Sequence, residues 1–182
     1  MMQDDVKKIL ISEQEIVERC KELGKQISED YAGKVPVVVG LLKGSVPFMA
    51  ELIKYITIYC EMEFMAVSSY SGTESMGDVR ILKDLDRSIN GCDVLVVEDI
   101  VDTGKTLEKV IELLYSKGAN TVKVVSLLDK PSRRIVDINA DYVGFEIPNE
   151  FVIGFGLDFN QKYRNIPYVG VLKEELYKEQ DE

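Results

Sequence analysis

Glu98-Asp99 and, three positions on, Asp102-Thr103-Gly104-Lys105-Thr106 place acids beside a run of hydroxyl, amide and ammonium donors. Paired carboxylates hold hydroxyl groups or a hard cation, and the donors that follow suit an anion. Val94-Leu95-Val96-Val97 before them is a strand buried on both faces. After them Leu107, Val110, Ile111 and Leu114 recur at helical spacing. The acids are expected where the strand ends, and the donors where the helix begins. A helix N-terminus presents unpaired N–H groups and the positive end of its dipole to whatever lies there.

A Walker-type nucleotide loop is excluded, because Asp99 holds the place of its first glycine. Acids at 98 and 99 would also repel a polyphosphate lying over them. A sugar phosphate suits the whole stretch: hydroxyls toward Glu98 and Asp99, phosphate against Thr103 to Thr106. A plain turn in which Asp102 or Thr103 caps the helix requires neither two preceding acids nor a second hydroxyl at Thr106.

Stepping outward, residues 12–28 form an amphipathic helix through Ile16, Val17, Cys20, Leu23 and Ile27, with Ser12 as cap. Residues 35–42 are a buried strand running into Lys43-Gly44-Ser45 and a helix with Pro47 in its first turn. Lys43 charges that helix mouth and Gly44 permits close approach of backbone to ligand, though a plain turn accounts for the loop equally well. Residues 56–69 are a long strand, and 78–83 return beside it after the polar segment 68–77. Strands at 121–128 and 142–147 follow, and Lys130 lies just past the first of them, where ligands of parallel sheets gather. Taken alone, a lysine there is more often solvated. Phe151, Val152, Ile153, Phe155 and Leu157, interrupted by glycines, make either a flat apolar slot for a planar ring or the core of a small subdomain. Residues 168–172 are a closing strand and 173–182 a charged, helical tail.

The 182 residues, 46% of them hydrophobic, suffice for one domain with a real core. The fold class expected is α/β: a mainly parallel twisted sheet with helices on both faces, its core at about 30–145. A small hood from about 1–15 and 146–182 covers the carboxyl edge. The net charge of −10 argues against a nucleic-acid surface. No apolar run reaches membrane-spanning length, and the acidic start lacks a secretion signal's layout. Three cysteines without Cys-x-x-Cys spacing read as reduced thiols in a cytoplasmic protein. The chain has no histidine, so any metal site is built from oxygen, which favours Mg2+ over zinc.

Residues 97–106, Val-Glu-Asp-Ile-Val-Asp-Thr-Gly-Lys-Thr, resemble the phosphoribosyl diphosphate motif of the type I phosphoribosyltransferases. The version with Glu98-Asp99 and Asp102 is most similar to the branch that uses hypoxanthine and guanine. The resemblance runs collinearly over nearly the whole chain. It implies transfer of phosphoribosyl to a 6-oxopurine, with Asp102 as proton acceptor. Phosphoribosyl and its phosphate would lie on Glu98, Asp99, Asp102, Thr103, Gly104, Lys105 and Thr106. Diphosphate would meet Lys43, Gly44, Ser69, Tyr70 and Arg164, with the Leu42–Lys43 peptide cis and Ser69-Tyr70 on a closing loop. Lys130 would donate to the purine 6-oxo group, Phe151 would stack, Val152 would offer main-chain contacts, and Asp158 would serve the base edge and a second metal. Metal would be held by Glu98, Asp99 and Asp158, and the protein would be a homodimer or homotetramer. Asn149 and Phe155 depart from the family's usual aspartate and tyrosine. Two other readings stay open: a related transferase for xanthine, adenine or uracil, and a sensor that keeps the cradle without turnover.

Overall fold

The computed structural model describes residues 2–69 and 79–178. In chain order the elements are β1 (Val6–Ile11), α1 (Glu13–Asp30), β2 (Val37–Leu41), α2 (Val46–Leu52), β3 (Glu61–Ser69), β4 (Val79–Lys83) and β5 (Asp93–Val101). Then come α3 (Lys105–Ser116), β6 (Thr121–Asp129), β7 (Tyr142–Glu146), β8 (Val152–Ile153), β9 (Val169–Leu172) and α4 (Glu175–Lys178). Six strands form one sheet in the order β4-β3-β2-β5-β6-β7. All its pairings are parallel except β3 with β4.

Alternation along the buried strands divides the core into two layers. Val38, Leu95, Val97, Val125 and Leu127 face Ile16, Leu23 and Ile27 of α1 and Phe48, Met49 and Leu52 of α2. Val37, Val39, Val94, Val96 and Val124 face Leu107, Val110 and Leu114 of α3. The expected α/β layout with helices on both faces is therefore present. α1 starts at a complete capping box: Ser12 Oγ accepts the Glu15 N–H at 3.3 Å, and the Ser12 N–H reaches Glu15 Oε2 at 2.8 Å.

A second sheet of three strands, in the order β1-β9-β8, joins the N-terminal segment to residues 152–172. β1 carries no clear strand signature in the sequence, because Lys7 and Lys8 interrupt its alternation and only Ile11 of its residues is buried. The strand expected from residue 56 begins at Glu61 instead. A parallel neighbour of β2 has to be entered from the amino end of the sheet, and residues 56–60 make that return. They are tied down by Thr57 N–H to Ser28 Oγ at 3.0 Å and Glu61 N–H to the Pro36 carbonyl at 3.0 Å. The cysteines are free, and burial pushes the Cys20 thiol up to about 12.

Candidate active site

β2 and β5 are neighbours, yet α2 leads on to β3 at one side and α3 to β6 at the other. The chain thus reverses direction here, and the crevice beyond the carboxyl ends is the place for a ligand. Pairing of β5 with β2 stops at Gly40↔Val97. Pairing with β6 continues to Val101↔Asp129. Glu98 and Asp99 therefore lie inside the strand, a correction to the expected end at Val97. Main-chain pairing to β6 is indifferent to side-chain polarity. The edge of β5 that β2 no longer covers is occupied by the loop after β2. Gly44 lies so close that a Cβ there would stand 1.6 Å from Asp99 Oδ2. The Leu42–Lys43 peptide is cis.

The two acids are only partly exposed. Burial pushes the Glu98 carboxyl well above the usual carboxylate range, and the charge of Asp99 pushes it further. Asp99 is raised by burial too, against the Ile100 N–H, 2.8 Å from its Oδ1, and the charge of Arg164. A hard cation would relieve both. The donor set is oxygen alone, which fits magnesium, an ion that keeps much of its shell as water and substrate oxygen. Among the described residues no three acids, histidines or cysteines gather into a metal cluster. Asp158 is held by other partners, Arg164 lying 2.9 Å from its Oδ1 and its Oδ2 accepting the Gln161 N–H at 2.8 Å, and its charge too raises the Asp99 carboxyl.

The anion cradle is made by how the next loop is held. Arg134 donates to the Asp102 carbonyl at 2.7 Å and Ile135 N–H to the Thr103 carbonyl at 3.0 Å. In a trans peptide N–H points opposite to C=O, so the Thr103 and Gly104 N–H groups turn the other way. Gly104 takes φ +84° at the N-cap of α3, and no side chain caps that helix. A hollow of about 100 Å³ lies there, lined by Glu98, Asp102, Thr103, Gly104 and Thr106 among others. Lys105 is exposed and does not line it.

A larger cleft of about 480 Å³ lies beside this hollow, and Asp102 borders both. Lys130, Phe151, Val152 and Asp158 line it. Lys130 is only 8% exposed, which overturns the solvated alternative. Burial lowers its ammonium pKa, with Asp102 and Glu150 pulling the other way. Phe151 is 38% exposed while Ile153 and Leu157 are buried, so this segment supplies both a slot wall and a core. Lys43 and Arg164 meet at Gln161, whose Oε1 accepts from them at 3.4 and 3.3 Å. Tyr70 and the side chain of Ser69 lie outside the described residues.

Ile100, Arg133 and Tyr177, which no sequence expectation singled out, also line the cleft. Arg133 Nε lies 3.2 Å from Asp102 Oδ1. The basic run Lys130-Pro131-Ser132-Arg133-Arg134 in an acidic chain is a signal that could have found it. Tyr177, an aromatic ring in a charged tail, carries a weaker one.

The family model described as "Phosphoribosyl transferase domain" matches residues 7–160. The chain belongs to the phosphoribosyltransferase family. It is 57% identical to the hypoxanthine-guanine phosphoribosyltransferase of Streptococcus agalactiae over 97% of this chain and 99% of that one. A hypoxanthine phosphoribosyltransferase from Staphylococcus aureus superposes with TM-score 0.93 at 54% identity, over 97% of this chain and 96% of that chain. A hypoxanthine-guanine phosphoribosyltransferase from Bacillus anthracis, solved with HEPES in its active site, gives TM-score 0.88 at 44% identity, over 92% and 99%. Arg164 and Tyr177 lie beyond the stretch that the phosphoribosyltransferase family model matches.

Proposed function

We propose that the protein is a purine-salvage enzyme that moves 5-phosphoribosyl from phosphoribosyl diphosphate to N9 of hypoxanthine or guanine, giving IMP or GMP and diphosphate. The observation that carries this is the single cleft shared by a buried ammonium (Lys130), an open aromatic face (Phe151) and a carboxylate (Asp102) that also borders the phosphate cradle. Lys130 donates to the 6-oxo group, Phe151 stacks on the ring and Val152 reads its edge through the main chain. Asp158 serves the base edge. Thr103 to Thr106 hold the 5′-phosphate, and Glu98 and Asp99 take the ribose hydroxyls or their cation.

As the C1′–oxygen bond to diphosphate breaks, the N9–C1′ bond forms and the sugar passes through oxocarbenium character. Asp102 accepts the proton leaving N7. Lys43, Gly44 and Arg164, with Ser69 and Tyr70, receive the departing diphosphate. Glu98 and Asp99, and at a second place Asp158, would hold Mg2+, which when bound would supply positive charge to the diphosphate. The second sheet and its loops act as a hood within one domain, over a core at about 30–145.

No helix among the described residues is long and apolar enough to cross a membrane. We place the protein in the cytoplasm as a homodimer or homotetramer, which sedimentation velocity tests. The deciding assay offers purified protein, Mg2+ and phosphoribosyl diphosphate the bases hypoxanthine, guanine, xanthine, adenine and uracil in turn. Nucleotide formation with the first two and none with the last two is expected; turnover of adenine or uracil alone, or of nothing, would overturn the reading.

A further inference from the structure

Phe151 is held by other rings. Tyr177 of α4 stacks on it with centroids 4.9 Å apart and planes 21° from parallel, and Phe159 meets it at 5.6 Å and 89°. Both are favourable aromatic geometries. Tyr177 is itself anchored: it packs with Leu176 against the core of Ile153, Ile166 and Leu172. Its helix is tied back through Leu176 N–H to the Lys173 carbonyl at 3.1 Å and Lys173 N–H to the Asp5 carbonyl at 3.0 Å. A pair present only to close a core would hide both rings, yet Phe151 stays 38% exposed and both rings line the cleft with Lys130 and Asp102.

A ring has two faces. With Tyr177 on one face of Phe151, a base that stacks there takes the other. We propose that Tyr177 is a positioning residue for the purine: it clamps Phe151 from behind, giving a three-layer stack of Tyr177, Phe151 and base. This rests on the proposed 6-oxopurine reaction and adds a residue to it. Left unclamped, Phe151 would lose rotamer freedom only when the base arrives, and that ordering cost falls on base binding. The groups proposed for phosphoribosyl diphosphate sit on β5, on the loops after β2 and β5, at the end of β3 and at Arg164, none of them in the Tyr177–Phe151 pair, so its binding is expected to be indifferent to the clamp.

The test compares steady-state kinetics and melting temperatures of the full-length wild type with Tyr177→Ala, Tyr177→Phe and Tyr177→Leu. Loss of one aromatic pair predicts a roughly three- to tenfold rise in hypoxanthine KM for the alanine variant. Its kcat and its KM for phosphoribosyl diphosphate should stay within about twofold of wild type. The phenylalanine variant should behave as wild type, and the leucine variant, apolar but not aromatic, should follow alanine. An unchanged hypoxanthine KM in the alanine variant overturns the clamp. So does a lowered one, which would mean that Tyr177 stands in the base's own place. A parallel rise of both KM values with a lowered melting temperature reduces Tyr177 to packing and also overturns it. Wild type inactive on both 6-oxopurines would sink the proposed reaction first and the clamp with it, a result told apart by needing no variant.

Discussion

Replacing Lys130 with methionine should make the protein a poorer enzyme and a sturdier fold. Lys130 is 8% exposed at the end of β6, its N–H held by the Val101 carbonyl at 3.0 Å. Burial lowers its ammonium pKa, and the neighbouring charges of Asp102 and Glu150 offset that only in part. The sign follows from proton counting. Between the lowered folded pKa and the ordinary value of about 10.4, the unfolded chain binds more protons than the folded one, so stability rises with pH across that window. Below the window the fold bears the net cost of a partly desolvated charge, which methionine of similar length removes. The variant's urea midpoint should exceed that of wild type at pH 7, and the gap should narrow as pH rises through the window.

Catalysis moves the other way. A hydrogen bond from a charged donor contributes about 1.5–3 kcal/mol. At about 1.4 kcal/mol per decade, its loss lowers kcat/KM for hypoxanthine roughly 10- to 150-fold. The KM for phosphoribosyl diphosphate should not move. Urea titrations at two pH values and initial rates with each substrate varied in turn measure all of this. A lower midpoint at pH 7, or a loss in kcat/KM below about threefold, would refute the assignment of a buried, base-facing ammonium.

Asp102→Asn removes the proposed proton acceptor, so kcat should fall about 10²- to 10⁴-fold while both KM values and the melting temperature hold; rapid-quench measurement of the chemical step checks it. Gly44→Ala drives a Cβ to within 1.6 Å of Asp99 Oδ2, and the forced shift should raise the KM for phosphoribosyl diphosphate and cost about 1–3 kcal/mol in urea unfolding. Ser12→Ala opens the capping box of α1, whose Ser12 and Glu15 do not line the cleft; unfolding should be easier by about 0.5–2 kcal/mol with unchanged turnover.

What the sequence discloses depends on the range of the force that places each group. Val94 to Val97 and the Leu107-Val110-Leu114 stripe are set by local periodicity, and both elements lie where that periodicity puts them. The end of β5 is not a local property. Glu98 to Val101 stay in the sheet because β6 is long enough to pair with them, and no residue in the stretch records the length of its neighbour. The same holds for β1, whose partner β9 comes from the other end of the chain. Burial of Lys130 is likewise written elsewhere, by the segment around Asn149, Glu150 and Phe151 that shares its cleft. The β2–β5 crossover point follows from right-handed connections on both sides of one sheet, so the site's location was readable even where its occupants were not.

An acidic chain that is to hold two anionic groups must solve its charge locally, because charges more than about 8 Å apart are largely screened. Here two of the arginines are already engaged: Arg133 of the cleft with Asp102 at 3.2 Å, and Arg164 with the cleft residue Asp158 at 2.9 Å. The Arg133 and Asp102 side chains are 49% and 40% exposed, and a pair so open contributes only about 0–1 kcal/mol. Substrate can therefore exchange partners with it at little cost: a phosphate oxygen for the arginine, a purine N–H for the carboxylate. An arginine suits this role because its planar guanidinium fork matches a carboxylate and a phosphate equally well. Asp102, the proposed proton acceptor, and Arg133 thus hold each other at a cost low enough for base and phosphoribosyl diphosphate to separate them.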